Sequence, residues 1–173
     1  ERLVDIIEEG FDIAIRIGEL EDNRLIAKKL CDHRRILCAS PAYLARHGVP
    51  EHPRQLAEHN CLRFSGLASF PQWRLYASDQ QQAVTPKGNL TANDSESLLA
   101  AARADAGILG AGEWLMSRDI AAGRLVRVLP DWQLDPTGGV YLVRPSARFP
   151  AATVLAFKEW IEARFSPAPP WAR

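Results

Sequence analysis

Between Phe11 and Gly48 the chain reads FDIAIRIGELEDNRLIAKKLCDHRRILCASPAYLARHG, and this run constrains the fold more than any other stretch. From Phe11 to Ile17, Phe and three Ile alternate with Asp, Ala and Arg. A period of two, rich in β-branched residues, predicts a strand with at least one buried face. Residues 25–30 and 35–39 read as two further short strands. Ser40-Pro41 then supplies an N-cap followed by proline at the first helical position, and Gly48 stands where a helix stop belongs.

The rest of the chain alternates strands and helices, which predicts an α/β fold with mostly parallel pairing. Residues 53–59 read as a short helix with proline near its start, and 60–64 as a strand. Residues 70–76 and 83–92 are weaker strand segments, and Pro86 points to an edge or a turn in the second. Residues 95–105 are rich in Leu and Ala, the best helix formers. Asn93 as cap and Glu96 three residues on resemble a capping box, with Gly107 as the stop. A short strand or turn at 108–111, a mainly helical stretch at 113–122 ended by Gly123, and strands at 125–129 and 140–143 follow. Pro150 opens the last helix, where Val154, Phe157, Ile161 and Phe165 recur at spacings of three and four and form one apolar stripe. The proline-rich end, SPAPPWAR, cannot continue a helix and reads as flexible.

Composition narrows the class. With 173 residues, one domain or two small lobes are expected, and 47% hydrophobic residues suffice for a core. The 21 basic and 21 acidic side chains balance, whereas a free-standing nucleic-acid binder usually carries a basic surplus. The sequence has no long apolar run and no secretion leader, so a cytoplasmic location without membrane contact is expected. Cys31, Cys38 and Cys61 lack metal-ligand spacing and read as buried, reduced thiols. The basic cluster Lys28, Lys29, His33, Arg34 and Arg35 reads as a solvated surface.

The segments DIAIRIGEL, RRILCASPAYLARHG and NCLRFSG resemble the effector-binding domain of LysR-type transcriptional regulators, particularly members with aromatic or small-acid effectors. TANDSESLLAAARADAGI, AAGRLVRVLPDW and VYLVRPSARFPAATVLAFKEWIEARF follow in the family's order, so the resemblance covers nearly the whole chain. It implies an α/β, two-lobed, periplasmic-binding-protein-like (type 2) fold with two crossover strands. Residues 1–40 and 139–173 would form the first lobe, and 41–138 the second. It also implies that the first lobe is incomplete, lacking its first strand and helix, and that the winged helix-turn-helix and linker helix lie outside this chain. A homodimer or higher homo-oligomer, touching DNA only through that absent N-terminal domain, is the implied assembly.

In such folds ligands sit at strand C-termini and helix N-termini. The expected effector contacts are therefore Asn93, Asp94 and Ser95 at the start of the Leu/Ala-rich helix. Its dipole would favour an anion by about 0.3–1 kcal/mol, though the charge of Asp94 opposes one. Arg16, Gly18 and Leu20 follow the first strand, and Arg16 could fork onto a carboxylate. Phe64 and Ser65 end the NCLRF strand, where Ser65 could donate a hydrogen bond and Phe64 wall a pocket. Ala111 lies in GILGAGEWLM, where relatives carry bulky aliphatics and then a proline. Smaller residues there suggest a wider or looser wall, or one filled by Trp114. Each position has a plainer reading: a helix cap, the polar face of a strand, or a strand-end loop.

Catalytic readings are weak. His59-Asn60-Cys61 lacks the surroundings of a nucleophile and base, and Cys31-Asp32-His33 reads as a turn rather than a metal site. No enzyme activity, metal or cofactor is expected. The preferred function is sensing of a small organic effector, with carboxylates among the candidates. The alternatives are a stand-alone solute-binding protein of the same fold and a cleft enzyme.

Overall fold

The computed structural model describes residues 4–20, 24–66, 69–135, 138–146 and 151–172. In chain order its strands and helices are β1 (Ala14–Gly18), β2 (Leu25–Asp32), β3 (Arg35–Ala39), α1 (Pro41–His47), β4 (Cys61–Phe64), β5 (Trp73–Ala77), β6 (Gln80–Val84) and β7 (Thr91–Ala92). There follow α2 (Ser95–Arg103), β8 (Ile108–Gly112), α3 (Glu113–Ala121), β9 (Val126–Val128), β10 (Gln133–Leu134), β11 (Gly139–Pro145) and α4 (Ala152–Phe165). Two short 3-10 segments, Pro53–Glu58 and Pro170–Ala172, are also present among the described residues.

The chain divides into two compact units, residues 34–135 and residues 4–33 with 138–172. In the larger unit a five-stranded sheet runs β7-β4-β8-β3-β9, and a three-stranded sheet runs β10-β5-β6. Every residue of β3 and β8 is buried, which is why both read as continuous apolar runs. Alternate side chains serve two cores. Leu37, Ala39, Cys61 and Ile108 join Tyr43, Trp73, Leu75, Trp132 and Leu134 on one face. Ile36, Cys38, Leu62 and Leu109 meet Leu98, Leu99, Leu115 and Met116 of α2 and α3 on the other. Strand β3 pairs with β8 and β9, which both lie in the larger unit.

Within the smaller unit the sheet order is β1-β11-β2, antiparallel throughout, and α4 packs on β2. Its buried apolar residues are Ile6, Val140, Leu142, Val143, Val154 and Ile161.

Local chemistry explains the helix at 41–47. The Ser40 hydroxyl accepts from Tyr43 N–H at 3.1 Å, Pro41 takes the first turn, and Gly48 closes the helix with φ 85°.

Several expectations are corrected. Of the eight strand pairings among the described residues, only β4–β7 and β4–β8 are parallel, because short connections such as β5–β6 return the chain antiparallel. The alternation at 11–17 is present, but its apolar set faces outward: Phe11, Ile15 and Ile17 are exposed. The stretch 83–92 is broken around Pro86 into the end of β6 and the short β7. Helix α2 is capped by Asp94, not Asn93: the helix starts at Ser95, and the Asp94 carboxylate accepts from Ser97 N–H at 2.8 Å. It ends at Arg103, well before Gly107, with Asp105 at φ 60°. Gly107 serves close approach instead, since a Cβ there would lie 2.3 Å from the Asn60 carbonyl oxygen. On α4, Val154 and Ile161 are buried but Phe157 is exposed, so the stripe is half realised. The C-terminal segment is not loose: Trp171 stands edge-on to Phe165 at 5.5 Å. Pro150, expected to open α4, lies outside the described residues.

Candidate functional site

Six of the nine expected contacts lie in the larger unit, and the topology gathers them at one edge. Strands β7, β4 and β8 are neighbours and run parallel. Phe64 ends β4 and Ser65 follows it, with Ser65 N–H donating to the Ala92 carbonyl at 2.9 Å. Asn93, Asp94 and Ser95 follow β7 and open α2. Ala111 is the penultimate residue of β8, and Gly112 then opens α3. The carboxyl edge of parallel strands, where helices start, is where α/β sheets present unsatisfied backbone N–H groups.

At the start of α2 the donors are partly used. Asp94 accepts from both Ser97 N–H and the Ser97 hydroxyl, the latter at 2.5 Å. These hydrogen bonds hold its carboxyl below the ordinary range, so Asp94 is an anion here. Phe64 folds its ring over Gly66, where a Cβ would come within 2.7 Å of it.

The looser wall expected near 110–112 is absent. β8 is laddered to β3 from Leu109 to Gly112. At Gly110 a Cβ would lie 2.7 Å from Leu134 Cδ2 and 3.1 Å from Leu37 Cδ2. The small residue makes room for core side chains, not for a ligand. Trp114 is half-buried against the α2–α3 core, and Ala111 belongs to that core.

In the smaller unit, Arg16 lies on β1, and its Nη2 donates to the Val4 carbonyl, so part of the expected fork is engaged by backbone. Gly18 has φ 118°, a conformation that favours glycine, and a Cβ at Gly138 would lie 2.3 Å from the Gly18 carbonyl. Leu20 is half-buried just beyond the strand.

The cysteines stay in plain surroundings. Burial pushes the Cys38 and Cys61 thiols up to about 12. Cys31 is half-buried inside β2 rather than in a turn. His59 accepts or donates across 3.2 Å to the Tyr43 hydroxyl, and Tyr43 also accepts from Asn60 N–H, which makes His59 a packing element beside α1.

One residue of the basic cluster is not on the surface. Arg35 starts β3 opposite Gly112, and its side chain is only 9% exposed. It therefore stands at the same sheet edge as Ala111. Sequence reading missed it by treating a run of charges as one solvated patch. The signal that finds it is parity: Arg35 shares a strand face with Leu37 and Ala39, both buried.

The architecture matches solved regulatory domains. The regulatory domain of CrgA from Neisseria meningitidis superposes with a TM-score of 0.80 at 32% identity, covering 91% of this chain and 77% of that one. That of AphB from Vibrio vulnificus gives 0.76 at 28% identity, over 92% and 77%. The chain therefore shares the type 2 periplasmic-binding-protein-like fold of these regulatory domains.

The family described as "LysR substrate binding domain" matches residues 1–166. The chain is 35% identical over 161 residues to the transcriptional regulator PtxR of Pseudomonas aeruginosa, covering 92% of this chain and 51% of PtxR. It is 38% identical over 133 residues to DmlR of Escherichia coli, covering 76% and 43%. The chain belongs to the LysR substrate-binding domain family. It spans about half the length of these curated relatives, which are transcriptional regulators rather than enzymes. Among the described residues no helix is long and apolar enough to cross a membrane.

Proposed function

We propose that this domain senses a small organic effector on behalf of a cytoplasmic LysR-type transcriptional regulator. The observation that carries the reading is the convergence of Phe64, Ser65, Asn93, Asp94, Ser95 and Ala111 on the carboxyl edge of β7, β4 and β8, in a chain that matches the family along nearly its whole length. Ser65 and the N–H groups opening α2 would orient the effector, and Phe64 would wall it. Arg16, Gly18 and Leu20 are the candidate contacts of the smaller unit. The mechanism is population shift: an effector that prefers one arrangement of the domain re-sets the DNA-contacting part of an intact homo-oligomer.

The test is a thermal-shift screen of small aromatic and aliphatic compounds, charged and neutral, on the chain and on Asn93→Ala. That substitution leaves the Asp94 cap in place. An effector at 100 times its Kd stabilises by about 2.7 kcal/mol. A shift that shrinks in Asn93→Ala, with equal melting of the two free proteins, supports the reading. A cooperative melt unmoved by every compound overturns it.

A further inference from the structure

The Arg35 guanidinium is a charged group with five donors on a side chain that is only 9% exposed. Its one ion pair among the described residues is with Asp135 Oδ2 at 4.0 Å, beyond hydrogen-bond reach. That same oxygen instead accepts from the Ser69 hydroxyl at 2.7 Å. Burial lowers the guanidinium to about 10, and the Asp135 charge opposes the shift only in part. Buried charges in folded proteins are normally paired and hydrogen-bonded, so one held short of its partner calls for a ligand or a function.

Its position says which. Arg35 pairs with Gly112, and Glu113 N–H donates to the Arg34 carbonyl at 2.9 Å. Gly112 opens α3 without a side-chain cap. In the sheet order β7-β4-β8-β3, Arg35 lies two strand spacings from the β4 end at Phe64 and three from the β7 end at Asn93. At about 4.8 Å per spacing this is roughly 10–14 Å, the span of a small organic acid with its contacting groups. The opposing charges nearby are Asp135 and, at the first turn of α3, Glu113.

We propose that Arg35 is the anion receptor of this edge, taking a carboxylate of the effector in a forked, two-bond contact. The proposal rests on the sensor reading above and names its ligand class. A planar guanidinium is shaped for that contact, and its burial strengthens it.

The experiment is calorimetric titration of benzoate and succinate, each paired with its neutral amide, at constant ionic strength. The proteins are the chain, Arg35→Met and Arg35→Lys. The parent is expected to bind at least one carboxylate in preference to its amide. Arg35→Met should weaken that carboxylate about tenfold or more and leave amide binding unchanged. In the absence of ligand Arg35→Met should melt no lower than the parent, because it removes an under-paired buried charge. Arg35→Lys, which keeps the charge and loses the fork, should fall between the two. Absence of carboxylate binding to the parent overturns the proposal, as does equal weakening of acid and amide in Arg35→Lys. A marked drop in the melting of Arg35→Met also overturns it, by making Arg35 a structural partner of Asp135. Binding of a neutral compound that neither variant disturbs would sink the anion receptor while leaving the sensor reading intact.

Discussion

The two units of the chain solve the problem of an apolar sheet face differently. In the larger unit both faces of the five-stranded sheet are covered, one by α2 and α3 and the other by α1, β5 and β10. In the smaller unit β1 carries Ile15 and Ile17 at 44% and 46% exposure, Ile26 of β2 is exposed, and so are Leu155, Phe157 and Trp160 of α4. Both units have the alternation or stripe that sequence patterning demands. Only the larger one buries it. A correct pattern therefore states which side of an element is apolar, and not that a neighbour covers it. Stability in this chain should be concentrated in residues 34–135, where the packing is closed on itself.

The first way to break that comparison is to open a cavity in the closed sheet. Leu109 is fully buried on the central strand β8, among Cys38, Leu62, Leu98 and Met116. Leu109→Ala should lose about 2–5 kcal/mol, read from denaturant midpoints at unchanged slope. A loss under about 1 kcal/mol would show that the larger unit is not the tightly packed one.

The second probes its polar joint. Asp119 is wholly buried, and its carboxylate accepts from Arg103 Nε and Nη2 at 2.9 and 2.6 Å and from Arg124 Nε at 2.6 Å. These three side chains tie α2, α3 and the turn after Gly123 together. Asp119→Ala should cost about 1.5–3 kcal/mol, less than breaking a fully buried pair, because both arginines are half-exposed and return to water. The hydrogen bond from Arg103, chiefly, holds the Asp119 carboxyl below its ordinary range. A lowered carboxylate binds its proton more readily in the unfolded chain. Its stabilisation is thus complete above the ordinary carboxylate pKa and fades as pH falls through the lowered one. Urea titrations at neutral pH and at pH 3 should show the gap between parent and variant narrowing in acid.

What could be read from the sequence followed the locality of the chemistry. Ser40-Pro41 and Gly48 are a cap, a first-turn proline and a stop within one short segment, and all three stand as read. Strand β3 was legible residue for residue because its apolar run is bounded by Arg35 and Ser40. The start of α2 at Ser95 stands as read but its cap was misplaced by one position, since Asn93 and Asp94 are both good caps and only the register of Ser97 decides between them. Pairing direction was not legible: whether β8 meets β3 antiparallel depends on contacts across the whole unit. Of the candidate contacts, those that follow a strand could be named because strand ends announce themselves. The burial of Arg35 was not legible, because burial of a charge depends on Ser69, Asp135 and the core beneath it rather than on its neighbours in sequence.

The mildest prediction concerns the smaller unit and bears hardest on the comparison. Ile15 and Ile17 lie on β1, paired with Leu142 and Val140 of β11. Replacing both with Thr keeps the β-branch, and hence the strand preference, while removing apolar surface. If the β1 face is open to water in solution, each change should stay within about 0.5 kcal/mol, and the doubly substituted chain should melt like the parent. If another molecule covers that face, burial makes the same substitutions costly, and mass action makes the parent's melting temperature rise with protein concentration. Melting parent and variant over a hundredfold range of concentration separates the two. A concentration-independent parent with an unchanged variant leaves the smaller unit as the open partner of a closed one. A concentration-dependent parent whose dependence disappears in the variant would mean that β1 finds its missing layer in another molecule.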